Sequence, residues 1–218
     1  MEVNELFLNT EVSFFDEWKE NLLDETYITK LKVDNKVYKY RLYYKTVWSH
    51  NENSKGLLSF VMLNPSYANQ YSNDPTINNC IKIAKQNDYD GIEIVNIYSM
   101  RHPNFEKIKS YIKEGKGNPA EIDYDKAKLN NVVLAWGNKK IKNSCNNKLF
   151  NKLKNAKNIY ILCVDNEQKI KKDYNYLKIQ IRHPSNQAWT KLGGINNAKL
   201  LEIDKVEFND NFVIQEKK

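Results

Sequence analysis

Little in this chain serves covalent cross-linking, metal ligation or membrane passage. Its 218 residues hold three cysteines, Cys80, Cys145 and Cys163. They are widely spaced and form no Cys-x-x-Cys or Cys/His cluster, which excludes a disulfide framework and the common zinc spacings. All three are expected to stay reduced, with Cys163 on a strand. No apolar run approaches the roughly 20 residues that cross a bilayer. The stretch from Met1 to Leu8, carrying Glu2 and Glu5, lacks the basic-then-apolar order of a signal peptide. A cytoplasmic protein without a membrane partner is the expectation. Neither standard Gly-rich phosphate loop is present, which counts against a nucleotide or sugar-phosphate enzyme. Internal repeats and low-complexity segments are lacking as well.

What is there is a wet, basic, single-domain composition. Charged residues make up 28% and hydrophobic ones 41% of the chain, and the mean hydropathy is −0.73. The length suits one sizeable α/β domain and is short for two. Lys and Arg outnumber Asp and Glu by 34 to 27, giving a net charge of +7. That balance suits a polyanionic partner, although lysine and asparagine richness also follows from base composition in a source genome.

Taken in order, Phe14, Phe15, Trp18, Leu22 and Leu23 recur at helical spacing and predict an amphipathic N-terminal helix. Tyr27 to Val33 and Lys36 to Tyr44 alternate around Asp34-Asn35, the pattern of a β-hairpin whose tyrosines serve packing. Residues 1–55 are therefore read as a helix and hairpin packed on an α/β core at 56–218. Gly56 to Leu63, Gly91 to Asn96, Asn131 to Gly137, Asn158 to Val164 and Leu177 to Ile181 are strand candidates. Helices are expected from Asp74-Pro75, over Phe105 to Glu114, from Pro119 to about Leu129, around Phe150 and Leu153, and over Trp189 to Leu201. Strands alternating with helices imply a mainly parallel sheet covered on both faces.

Three strand ends deliver a polar side chain. Asn64 follows the run Ser59 to Leu63, Asn96 ends Gly91 to Val95, and His183 follows Ile181-Arg182. In an open parallel sheet that edge is where ligands bind. Each residue also has a plain structural reading. Asn64 before Pro65 ends a strand, an asparagine bonds nearby backbone, and a histidine before proline lies in a loop. Asp74 before Pro75 reads first as a helix N-cap, with a catalytic role as the lesser alternative. Together the three strand ends are the arrangement expected of a pocket.

The order Leu63-Asn64-Pro65, Glu93-Ile94-Val95-Asn96, Val133-Leu134-Ala135-Trp136-Gly137 and His183-Pro184-Ser185 resembles the motif series of the uracil-DNA glycosylase superfamily. The chain is also similar to a bacterial group defined only as a domain of unknown function. That group shares Met62 to Ser66, Asp74-Pro75-Thr76, Asn96, Arg101, Ala135-Trp136-Gly137 and Arg182-His183-Pro184. The likeness spans roughly Gly56 to Leu201, and its specificity lies in the colinear order. It implies that Asn64 holds the attacking water, as in the Asn-Pro branch of the superfamily. It gives Asn96 the edge of a flipped base and His183 the charge on the departing base. Ser66 and Ser185 would grip phosphates. No metal or redox cofactor is implied, and the partner would be double-stranded DNA bound by a monomer.

The departures bear on substrate. Ser66 stands where uracil-specific relatives carry a tyrosine, which implies a roomier pocket. Tyr67, Tyr71 and Tyr98 are the candidates for stacking on the base. Asn186-Gln187 replace the usual Pro-Leu wedge. Arg101 and Arg182 are read as phosphate or pocket residues, with pairing to Asp74 as an alternative. The expected activity is a monofunctional DNA glycosylase that takes a bulky modified cytosine. Antiphage members of the superfamily act on one such base, glucosylated hydroxymethylcytosine. The alternatives are a uracil or thymine-mismatch repair enzyme and a catalytically inactive DNA-binding protein on the same scaffold.

Overall fold

The computed structural model describes residues 7–15, 23–33, 36–48, 55–65, 75–102, 104–113, 127–137, 147–164, 181–184 and 188–203. Strands β1 (Phe7–Phe15), β2 (Leu23–Val33) and β3 (Lys36–Val47) pair in antiparallel order. β3 then pairs antiparallel with β5 (Gly91–Asn96). Beyond it lie β4 (Leu57–Met62), β6 (Asn131–Leu134) and β7 (Asn158–Cys163), all parallel to β5. β8 (Lys199–Glu202) closes antiparallel on β7. The described residues thus form one eight-stranded sheet in the order β1-β2-β3-β5-β4-β6-β7-β8.

The four parallel strands are almost wholly apolar because both their faces are covered. Helix α1 (Pro75–Gln86) buries Cys80, Ile83 and Ala84 against one face, where Phe60, Ile94 and Val133 point. Helices α2 (Phe105–Lys113) and α3 (Asn147–Leu153) send Ile108, Leu149 and Leu153 to the opposite face, onto Val61, Val95 and Leu134. Handedness dictates this split. A crossover between parallel strands is right-handed, so moving from β4 to β5 puts α1 on one face. Returning past β4 to reach β6 puts α2 on the other. Proline at the first position of α1 costs no hydrogen bond there, and the Asn104 side chain caps α2 by accepting from the Glu106 N–H at 2.9 Å. Among the described residues no helix is long and apolar enough to cross a membrane.

The mixed α/β class with a mainly parallel centre is as the sequence predicts, and so are the hairpin and the burial of Tyr40 and Tyr43. Three local expectations need correction. Phe14 and Phe15 lie in β1, and Leu23 opens β2, where a helix is expected; Trp18 and Leu22 lie outside the described residues. Pairing with a long neighbouring strand overrides a weak 3.6-residue period. Residues 127–129 are not helical, and Leu129 is left-handed with φ 49°; 119–126 lie outside the described residues. Of the strand expected over Leu177 to Ile181, residues 177–180 lie outside the described residues, and Ile181 follows in a connecting segment. The helix expected over Trp189 to Leu201 is a short α4 (Ala188–Lys191), a 3₁₀ turn at Ile195–Asn197, and β8. Gly193 and Gly194, at φ 84° and 92°, end α4, and the Gly194 N–H bonds back to the Trp189 carbonyl at 2.6 Å. The tight turn at Asp34-Asn35 and Cys145 also lie outside the described residues; Cys80 and Cys163 are buried thiols outside any disulfide.

Among the four parallel strands one charged side chain is buried. Glu93, in the middle of β5, is 1% exposed. The Tyr43 hydroxyl of β3 (3.1 Å) and the Ser59 hydroxyl of β4 donate to its carboxylate. So do the backbone N–H groups of Lys128 (3.2 Å) and Leu129 (2.9 Å), just ahead of β6. Each oxygen receives one hydroxyl and one peptide N–H. In Glu93→Gln an amide nitrogen replaces one acceptor and faces a peptide N–H that cannot reverse. A buried donor left unsatisfied costs about 1–3 kcal/mol. Urea unfolding should show a loss of that size, as a lower midpoint with an unchanged slope.

Candidate active site

The strand order turns back on itself at β4. The connection leaving β4 runs over the face of α1, while those leaving its neighbours β5 and β6 run over the face of α2 and α3. Connections that part to opposite faces open a crevice at the carboxyl ends of the strands, the usual ligand position in such sheets. Asn64 stands two residues past the end of β4, at that point.

Backbone pairing beyond the strands fixes the neighbours. Met62 is opposite Asn96. The Ile97 and Tyr98 N–H groups donate to the Met62 and Leu63 carbonyls at 2.8 and 2.9 Å, and the Ala135 N–H donates to Val61 at 2.8 Å. Asn64, Asn96 and Trp136-Gly137 therefore leave adjacent strands at one edge. Gly137, at φ 76°, lets the backbone turn where an L side chain is strained. A Cβ there would stand 3.8 Å from the His183 Cβ, so the His-Pro loop lies against the end of β6. That loop is fixed from two sides. The Asn79 side chain of α1 donates to the Pro184 carbonyl at 2.9 Å, and the Trp189 indole donates to the His183 carbonyl at 3.0 Å. The N-terminus of α1, with its partial positive charge, is at the same edge.

Asn64 is half-buried and its carboxamide is oriented. Its nitrogen donates to the Pro65 carbonyl at 3.1 Å and to the His102 carbonyl at 2.8 Å. Both amide hydrogens are thereby committed to backbone. Among the described residues nothing donates to Oδ1, which is left as an acceptor. Asn96 is 1% exposed and in phase with Ile92 and Ile94, so its amide lies on the α1 side of the sheet.

The other expected site residues within the described chain are Tyr98, Arg182 and Arg101. Tyr98 is 6% exposed and meets the Phe105 ring edge-on at 5.2 Å, in the core beneath α2. It packs the core and does not present a stacking face. Arg182 donates to the Leu162 carbonyl at 3.3 Å, with its guanidinium 5.8 Å from the Trp189 ring centroid. It braces the His-Pro loop on β7. Arg101 is half-buried beside β3, where its N–H donates to the Lys39 carbonyl at 2.9 Å. Ser66, Tyr67, Tyr71, Asp74, Ser185, Asn186 and Gln187 lie outside the described residues. Asn79 and the His102 carbonyl are components that no local pattern in the sequence marks. Burial, and then the Tyr160 hydrogen bond, push the Tyr89 phenol up; it follows α1 at the opposite edge and belongs to the packing. Among the described residues no three His, Cys, Asp or Glu side chains gather around one point.

The sequence pattern of a family described as protein of unknown function (DUF1643) matches residues 40–176, more than half of the chain. No curated protein and no solved structure matches it.

Asn64→Asp tests the orientation directly. A carboxylate oxygen would face the Pro65 and His102 carbonyls in place of a donor, which raises its folded pKa above the unfolded value of about 3.9. A raised carboxyl contributes stability below the unfolded pKa and loses it as pH climbs through the folded one. Thermal unfolding should therefore show a small deficit against wild type near pH 4 and a larger one at pH 7.

Proposed function

The chain belongs to the DUF1643 family of proteins of unknown function, and from the edge site we propose that it is a monofunctional DNA glycosylase. The observation that carries this reading is the fixed carboxamide of Asn64, whose nitrogen is held by two carbonyls and whose oxygen, among the described residues, is left to accept. An amide so held cannot abstract a proton strongly, but it can place a water.

The reaction needs little more than placement and charge stabilisation. A nucleotide is flipped from the stack into the crevice, with Asn96 offering donor and acceptor to its base edge. The C1′–N1 bond of a pyrimidine nucleotide breaks and its electron pair leaves with the base, while the sugar becomes oxocarbenium-like. Water held at Asn64 Oδ1 bonds to C1′ and gives up a proton. His183 donates toward the charged base, which takes up a proton on release. The products are a free base and an abasic deoxyribose, with the DNA backbone intact. The motif order Asn64-Pro65, Asn96, Trp136-Gly137 and His183-Pro184 supports the same reading by resemblance to the uracil-DNA glycosylase superfamily. Ser66 in place of a screening tyrosine favours a bulky modified cytosine such as glucosylated hydroxymethylcytosine. Abasic sites in phage DNA would then be the biological output. The net charge of +7 suits a duplex partner.

Base release should be followed by mass spectrometry and abasic-site cleavage on duplexes carrying uracil, a thymine mismatch, hydroxymethylcytosine or its glucosylated form. Wild type is expected to release the modified cytosine, and Asn64→Ala to lose about 10²–10³ in rate at unchanged DNA affinity. Binding with no release from any duplex would replace the enzyme reading with that of a DNA-binding protein.

A further inference from the structure

The two carbonyls that hold the Asn64 amide do different things. Pro65 is the next residue, so that bond ties the carboxamide only to its own loop. The His102 carbonyl lies 38 residues away, past the end of β5, and fixes the carboxamide against the sheet. The direction of Asn64 Oδ1 therefore depends on how firmly one peptide, His102-Pro103, is held. Upstream of it the Arg101 N–H donates to the Lys39 carbonyl of β3 at 2.9 Å. Downstream, Pro103 has no N–H to give.

The His102 imidazole closes the turn on that side. Its Nδ1 accepts from the Asn104 N–H at 2.9 Å. A side-chain acceptor on the N–H two residues ahead is the bond of an Asx turn, made here by a ring nitrogen. The Asn104 carbonyl stands 3.0 Å from the same nitrogen, so a protonated ring, which donates from Nδ1, would be held to Asn104 as well. Asn104 in turn belongs to α2. Its side chain accepts from the Glu106 N–H at 2.9 Å and its carbonyl from the Ile108 N–H at 3.4 Å, and Ile108 is buried in the core. A continuous chain of hydrogen bonds thus runs from Asn64 through His102 and Asn104 to α2. The His102 ring also meets Tyr111 of α2 edge-on at 6.1 Å, a packing contact that needs no nitrogen.

We infer that His102 is a positioning residue: through Nδ1 it holds its own carbonyl on Asn64 and so sets the direction of Asn64 Oδ1. The orientation follows from the hydrogen bonds alone, whereas its effect on rate rests on the glycosylase reading above. A hydrogen bond of this kind shifts the population of the held state by about tenfold. A small misplacement of the group that orients a reactant costs up to about 100-fold in rate.

Two substitutions separate the nitrogen from the ring. His102→Asn keeps an acceptor at the place of Nδ1, on the side chain that ordinarily makes an Asx turn, and gives up the Tyr111 contact. His102→Phe keeps a ring against Tyr111 and has no acceptor. His102 is half-buried and outside the core, so both variants are expected to fold. The first readout is the side-chain amide pair of Asn64 in the NMR spectrum, assigned by its loss in Asn64→Asp. In His102→Phe these hydrogens should exchange with solvent at least about tenfold faster than in wild type, and in His102→Asn they should match wild type. The second readout is base release, where His102→Phe should lose about 10–100-fold in kcat with KM little changed and His102→Asn should recover the rate. Faster exchange in both variants, in neither, or in His102→Asn alone overturns the positioning role; the His102→Asn result decides even if His102→Phe fails to fold. If wild type releases no base from any duplex, the glycosylase reading fails and the amide exchange still decides the role of His102.

Discussion

The carboxylate of Glu93 is the constraint on which the sheet depends. β5 joins two different kinds of structure, an antiparallel ribbon on one side and a parallel sheet on the other. Glu93 takes a hydroxyl from each side, Tyr43 and Ser59, and two peptide N–H groups from the turn that starts β6. A buried charge of this kind is tolerable only when every lone pair is occupied, and the same requirement fixes the register of its donors. Strands β3, β4, β5 and β6 are thus keyed to one point. Leu129 keeps its left-handed backbone there with its own N–H as one of the four donors.

From that fixed centre the site follows by geometry. Right-handed crossovers send α1 to one face and α2 and α3 to the other, so the crevice opens at the end of β4. The extensions of β5 and β6 run along β4 past the strand ends, and the His-Pro loop is carried in by α1 and Trp189. The polar residues at the edge are consequently mounted on the ends of paired central strands, with short stretches between strand and side chain. Mounting of this kind is what a site needs if it acts by placing a water and a base.

How much of this was legible in the sequence depended on the range of the interactions. Asn64, Asn96 and Gly137 could be read because each ends an apolar run, a signal contained in six or seven residues. The helix-starting Pro75 and the hairpin were equally local. Glu93 could not be read as a hub, since its donors lie 34 to 50 residues away. Tyr98 looked available for stacking because only Phe105, on a later helix, reveals what it touches. The misread tail has a simple cause. Apolar residues at Leu192, Ile195 and Leu200 fit a helix, and two glycines with positive φ divert the chain into β8 instead.

β8 has a further consequence. The family pattern ends at residue 176, yet β8 lies beyond it and covers the outer side of β7, with the Ile203 N–H reaching the Ile159 carbonyl at 2.8 Å. A fragment cut to the family's limits would uncover an apolar strand edge, the kind of surface through which sheets stick to one another. It would also lack the His-Pro loop and the indole that holds it. The terminal segment is therefore an aggregation guard as well as a support for the site, and the smallest unit expected to behave as a protein extends past the recognisable domain.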